Sequence, residues 1–321
     1  MDGRDVPIVI AAHADWSADP RKRFAVVAER SGGRWRVFPP RPVVDPAGFA
    51  ARLIGAAPAV LGLDAPLGLP RLYAARHAGG HRDFPDFLAS LTARPGFFVK
   101  ARRIAEVSPS APFFPARAEK GVRRADLAAA LGLPDTAALA RACDRRTARR
   151  PAGAPPFWTL GANQSGSAAI AAWRDWLAPA LAGGAPYVLW PFAGRLAQLL
   201  APGRLVLAEA YPAEAMVQRG IPRQGSKRRQ EGRRAMAEAL RQAMAALGIE
   251  ADAALLAEMA EGFGPRADAE DRFDCLLGLI GVIAVIEGAQ PDHVPEDPWI
   301  RAWEGWVLGQ TDAPLDAPSA Q

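Results

Sequence analysis

The sequence predicts an α/β protein: a mixed β-sheet flanked by helices, with a largely helical insertion. Three observations carry this reading. Short apolar runs joined by a Gly-Gly turn open the chain, buried strand-like runs recur beyond residue 185, and a long helix, apolar nearly all round, closes it. At 321 residues, 50% of them hydrophobic, the chain can bury the core of one large domain. We read residues 1–309 as that domain, with the insertion at about 71–185 and a polar, Pro-rich, frayed tail at 310–321.

The elements follow in order. A buried run over 7–14 leads to Asp15. A second run at 24–28, the turn Ser31-Gly32-Gly33 and a third run at 35–38 make a β-hairpin. Residues 46–55 read as a short helix, with Asp45 as cap and Pro46 at its first position. The buried strand at 59–63 stops at Asp64 and the turn Ala65-Pro66-Leu67-Gly68. Between about 71 and 185 the composition shifts to Pro, Arg and Ala, with short helices such as 125–133. A helix over about 167–178 places Ile170, Trp173 and Leu177 at helical spacing, and Pro179 is expected to end or kink it. Strands at 187–190 and 204–209 resume the core, and Tyr211-Pro212 starts a helix. A helix over 226–247 puts Met236, Leu240, Met244 and Leu247 on one face, with Arg229, Arg233 and Arg241 mostly elsewhere. The last helix covers about 269–287 and, being apolar nearly all round, is expected to be buried.

Composition excludes several classes. No run of about 18 uncharged apolar residues occurs, so no transmembrane helix is expected. The opening Met1-Asp2-Gly3-Arg4-Asp5 is no secretory signal, and Cys143 and Cys275 are far apart in unlike contexts. Both features fit a cytoplasmic protein with two unpaired thiols. A net charge of +5 is compatible with a polyanionic partner, although a generally basic surface explains it as well. Walker-type and Gly-x-Gly-x-x-Gly phosphate loops, a Gly-x-Ser-x-Gly elbow and a zincin motif are all absent.

Acidic residues stand where the apolar runs end or begin: Asp15, Asp64, Glu209, and the pair Asp271 and Asp274. Each has a structural explanation. Asp15 and Asp64 suit turns, and Asp271 suits the first turn of a helix through its dipole. Asp274 goes into an apolar stretch, where a carboxylate needs a cation or donors. Placed alike at the ends of rigid elements, these groups can converge into an oxygen-rich cage of the kind that binds Mg²⁺ or Mn²⁺. His13, two residues before Asp15, is a core histidine or a neighbour of that cage. The basic stretch 227–234, with Lys227 and Arg234, suits phosphate contacts at a helix start or a solvated helix face. Gln164, in Asn163-Gln164-Ser165-Gly166, offers hydrogen bonds to a substrate or to a helix cap.

An ordered set of short motifs spans most of the chain. It comprises Ala14-Asp15-Trp16-Ser17, Leu63-Asp64-Ala65-Pro66-Leu67-Gly68 and Phe157-Trp158-Thr159-Leu160-Gly161 with Gln164 and Gly166. Leu189-Trp190-Pro191-Phe192, Glu209-Ala210-Tyr211-Pro212 with Lys227 and Arg234, Asp271-x-x-Asp274 and Glu304-Gly305-Trp306 complete it. In these the chain resembles the predicted RNase H-like nucleases of domain-of-unknown-function family 429. The resemblance implies an RNase H-like core whose first strand, fourth strand and last helix carry metal-binding acids. Those positions match Asp15, Asp64 and the Asp271/Asp274 pair, with Glu209 on a nearby strand. Two acids three apart on the last helix look similar to the Holliday-junction resolvase branch. Trp16-Ser17 stands where sugar-kinase and actin-like relatives carry a Gly-Thr phosphate turn, which disfavours ATP use.

The expected function is metal-dependent phosphodiester hydrolysis of nucleic acid. Asp15, Asp64, Glu209, Asp271 and Asp274 are the candidate catalytic acids, with Asp15, Asp64 and Asp274 holding Mg²⁺ or Mn²⁺. Two such ions about 4 Å apart would activate water and stabilise the leaving oxygen. Lys227, Arg234 and Gln164 are the candidate substrate contacts. Trp158, Trp173 and Trp176 either shape substrate access or belong to the core. Two other classes stay open: a non-catalytic nucleic-acid-binding protein, and a hydrolase of a small phosphorylated metabolite.

Overall fold

Strand β1 (Val9–Asp15) pairs antiparallel with β2 (Phe24–Ser31), which pairs antiparallel with β3 (Arg34–Val37). Gly32 and Gly33 close the hairpin at φ +58° and +80°, the conformation a two-residue turn between twisted strands demands. The two-residue strand β4 (Arg41–Pro42) adds to β2. The helix Pro46–Leu53 follows, its start fixed by Asp45, whose carboxylate accepts from the Gly48 N–H at 3.0 Å. Strand β5 (Ala59–Leu63) then runs parallel to β1. Further along are β6 (Tyr187–Leu189), β7 (Leu205–Glu209) and β8 (Ile249–Glu250). All eight join one sheet in the order β6-β7-β5-β1-β2-β3-β8, with β4 beside β2. An antiparallel meander extended past β1 by parallel strands, with helices on its flanks, is an RNase H-like mixed α/β architecture.

This computed structural model describes residues 8–117, 120–160 and 165–315. They fall into two compact units. The first comprises the described parts of Met1–Asp64, Pro186–His293 and Val307–Gln310, and the second those of Ala65–Ala185, Val294–Trp306 and Thr311–Gln321.

In the first unit the register decides which side chains share a face. His13 is level with Val26 on β2 and Gly62 on β5, and period-2 alternation sends Asp15 to the same side as His13. The last helix, Ala269–Ile286, covers that side. Its residues from Cys275 to Val285 are all buried, as its apolar circumference requires. Helix and sheet approach closely because two glycines face each other across them: a Cβ on Gly278 would collide with the His13 ring, and one on Gly62 would meet Val282 at 2.6 Å. On the other side, Ala25 and Val27 of β2 line a surface hollow with Phe38 and with Phe49 of helix Pro46–Leu53.

The second unit is built around aromatic side chains in edge-to-face contact, among them Phe113 with Phe157 and Phe84 with Trp173, both at 5.3 Å between centroids. Trp173 and Trp176 are core residues, 0% and 2% exposed, whereas half-buried Trp158 lies under the Arg124 guanidinium. Pro179 does not end its helix. Ser165–Ala172 continues through a π-helical turn, Trp173–Leu177, into Ala178–Ala182. The Ala178 N–H reaches back to the Trp173 carbonyl, so the widened turn absorbs the N–H that Pro179 lacks. A buried bidentate pair, Arg141 with Asp144 at 2.8 and 2.9 Å, braces the same unit. The first part of the expected tail is tied down: Asp312 accepts from Arg149 at 2.7 and 2.8 Å, and the Leu315 N–H donates to the Arg146 carbonyl. Among the described residues no helix is long and apolar enough to cross a membrane.

Candidate active site

Asp15 ends β1, and Asp64 directly follows β5, its N–H bonded to the Ala14 carbonyl at 3.0 Å. Because Ala14 is level with Leu63, the next residues, Asp15 and Asp64, emerge side by side on the face that the last helix covers. Asp271 and Asp274 lie in the first two turns of that helix. The Asp15 backbone hydrogen-bonds the Cys275 sulfur, which fixes the helix start against the strand end. Four aspartates remote in sequence are thereby brought together in the first unit.

Their electrostatics express the crowding. Burial, followed by the charges of Asp64, Asp274 and Asp271, holds the Asp15 carboxyl well above the usual carboxylate range. Burial and Asp274 push Asp64 up to about 7 against the pull of Lys227. Asp271 is pushed up to about 6, chiefly by burial, with Lys22 opposing. Asp15 is the middle member, hydrogen-bonded to Asp64 on one side and to Asp271 on the other. The Asp271 Oδ2 atom is buried without a hydrogen-bond partner. Among the described residues, no three of these aspartates bring oxygens within 4.8 Å of one another, so they form an open array, not a closed cage.

Asp274 is differently placed. Both of its oxygens accept from Lys227 Nζ at 2.7 Å, and the two side chains are only 13% and 15% exposed. Burial raises the Asp274 carboxyl while Lys227 opposes. For Lys227 itself, burial acts to lower the ammonium, but Asp274, Asp64 and Asp15 outweigh it and raise it. The lysine therefore stays charged, facing all three aspartates.

Sequence reasoning missed the residue that sets this lysine. Arg233 is 2% exposed and donates to three carbonyls: Lys227 at 2.6 Å, and Gly262 and Gly264 at 2.8 Å each. It ties the Lys227 turn to the loop that precedes the last helix. That turn also lies against Gly232, where a Cβ would collide with the Ser226 carbonyl. The helix accordingly starts at Gln230 and runs Gln230–Ala246, not from 226. A lone arginine off the apolar face of a helix gave no signal of burial.

The family comparison covers these positions. A family model described as "Protein of unknown function (DUF429)" matches residues 15–298, from the first aspartate to beyond the last helix. The chain belongs to the DUF429 family. Comparison with curated proteins and with solved structures gives no match.

Not every expected site residue of this DUF429 chain joins the cluster. Glu209 is level with Leu63, one residue out of step with Asp64, so it leaves the sheet on the opposite face. It is wholly buried there, and its own carbonyl accepts from the Leu308 N–H at 2.8 Å. Arg234 points to solvent, 54% exposed and 3.7 Å from Glu261. Gln164 lies outside the described residues. His13 is fully buried beneath the last helix, its Nε2 3.0 Å from the Ala210 carbonyl, and burial pushes it down to about 4. It is a neutral core histidine one strand pleat behind Asp15.

Proposed function

We propose that this protein is a divalent-metal-dependent phosphodiesterase of nuclease type. The observation that carries the reading is the contact of Asp15 with both Asp64 and Asp271, at positions where burial raises all three carboxyls. Packing acids together out of water opposes folding unless a cation or proton is bound, and such arrangements concentrate at functional sites. An all-oxygen donor set with a buried, unpartnered Asp271 Oδ2 fits a hard cation, Mg²⁺ or Mn²⁺. Asp15, Asp64 and the acids of the last helix would hold it. Such an ion, when bound, supplies Lewis acidity at phosphoryl oxygen and a lowered pKa of bound water.

The chain's own residues supply the remainder. Lys227 presents a fixed positive charge beside the acids. Exposed cations approach from two directions: Lys22 acts on Asp271 and Arg223 on Asp274, while Arg228 and Arg229 stand exposed next to Lys227. Cations on both sides of an acidic centre suit a substrate with phosphates on either side of the scissile one, which favours nucleic acid over a small phosphorylated metabolite.

The reading is tested by offering DNA, RNA, branched junctions, nucleotides and sugar phosphates with Mg²⁺ or Mn²⁺, with and without EDTA, to the wild type and Asp64→Asn. Cleavage of a polymer that EDTA and Asp64→Asn both abolish is expected. Equal cleavage by the variant rejects the site, polymer binding indifferent to EDTA identifies a non-catalytic binder, and turnover of small phosphates alone redirects the substrate class.

A further inference from the structure

The four aspartates divide into two sets with different partners. Asp64, Asp15 and Asp271 make contact with one another through Asp15, and one oxygen of Asp271 is buried without any partner. Asp274 already holds a cation, since Lys227 Nζ sits 2.7 Å from each of its oxygens. That ammonium is no loose surface group. Its turn is fastened by Arg233 through the Lys227 carbonyl and closed against Gly232, so moving it means opening a packed turn.

We propose that this site takes one divalent ion, not two: Asp15, Asp64 and Asp271 hold it, and the Lys227 ammonium on Asp274 permanently fills the place of a second cation. This rests on the metal-dependent reading above and assigns its residues. Asp271, not Asp274, is then the metal ligand of the last helix. A lysine that is charged and buried beside the ion serves as the second positive charge toward a phosphate without exchanging with solvent cations.

The probe is Mn²⁺ alone, counted by electron paramagnetic resonance titration of the full chain, so no substrate is needed. The wild type is expected to bind one ion. Asp274→Asn keeps that ion, whereas Asp271→Asn weakens it by more than about tenfold, the least a lost ligand costs when outer-shell changes already cost that much. Lys227→Met, which frees both oxygens of Asp274, is expected to gain a second ion. Two ions on the wild type overturn the proposal, as does loss of the ion in Asp274→Asn with retention in Asp271→Asn. The wild-type count and the two aspartate variants decide it even if Lys227→Met does not fold. Two wild-type ions together with EDTA-sensitive cleavage would sink the one-ion assignment and leave the enzyme reading standing; no Mn²⁺ bound at all would sink both.

Discussion

Replacing Asp64 by asparagine in metal-free protein tests whether the strand-end acids oppose folding, as a site built for a cation requires. Asp64 rises from 3.8 to about 7 in the folded chain. Below 3.8 folded and unfolded chains both carry the proton. Between 3.8 and 7 the folded chain keeps a proton that the unfolded chain releases, so stability falls as pH rises, and above 7 the whole penalty applies. A rise of that size corresponds to about 4 kcal/mol. Asp15 shares the same repulsion, so about 2–4 kcal/mol is expected to return when Asp64 becomes a neutral isostere. For a chain of this size that is about 4–8 °C in Tm. Calorimetric or circular-dichroism melts in EDTA should show matching wild type and Asp64→Asn near pH 4, with the variant pulling ahead by pH 8. A variant no more stable at pH 8, or a gap that ignores pH, would refute the reasoning.

Three other substitutions probe the supports. Lys227→Met leaves a buried carboxylate without its cation and is expected to lower stability by about 3 kcal/mol. Adding Asp274→Asn should restore most of it, and a double-mutant cycle by urea unfolding with coupling near zero would contradict the pair. Arg233→Met removes three charge-assisted bonds to carbonyls and should cost about 4 kcal/mol or more, with Arg233→Lys recovering little because an ammonium cannot span three acceptors. Gly278→Ala drives a methyl into the His13 ring; overpacking of this kind costs about 1–3 kcal/mol, and His13→Ala in the same chain should relieve it in thermal melts.

Much of the first unit is written locally in the sequence, and the site partly so. The hairpin at Gly32-Gly33, the Asp45-Pro46 helix start and the apolar last helix each follow from short-range rules, and the structure has all three. Asp15 and Asp64 were legible because each ends a buried run, and parallel pairing of neighbouring strands then sets them side by side. Glu209 looked equivalent by the same criterion. What separates it is a register offset of one residue between β5 and β7, and register is a property of pairing that no single run displays. Arg233 and Arg234 are adjacent and chemically identical, yet one is buried against three carbonyls and the other faces water. Only the loop at 262–264, some thirty residues on, tells them apart. Pro179 misled for a related reason: a wider turn upstream made room for it.

The most direct test of the carboxylate site is an anomalous difference map from crystals of the protein soaked in Mn²⁺. A single peak beside Asp15, flanked by Asp64 and Asp271, with the Lys227–Asp274 pair intact, is the predicted result. A saturated crystal with no peak at the strand ends, or with its Mn²⁺ on Asp274 in place of the lysine, would contradict the account.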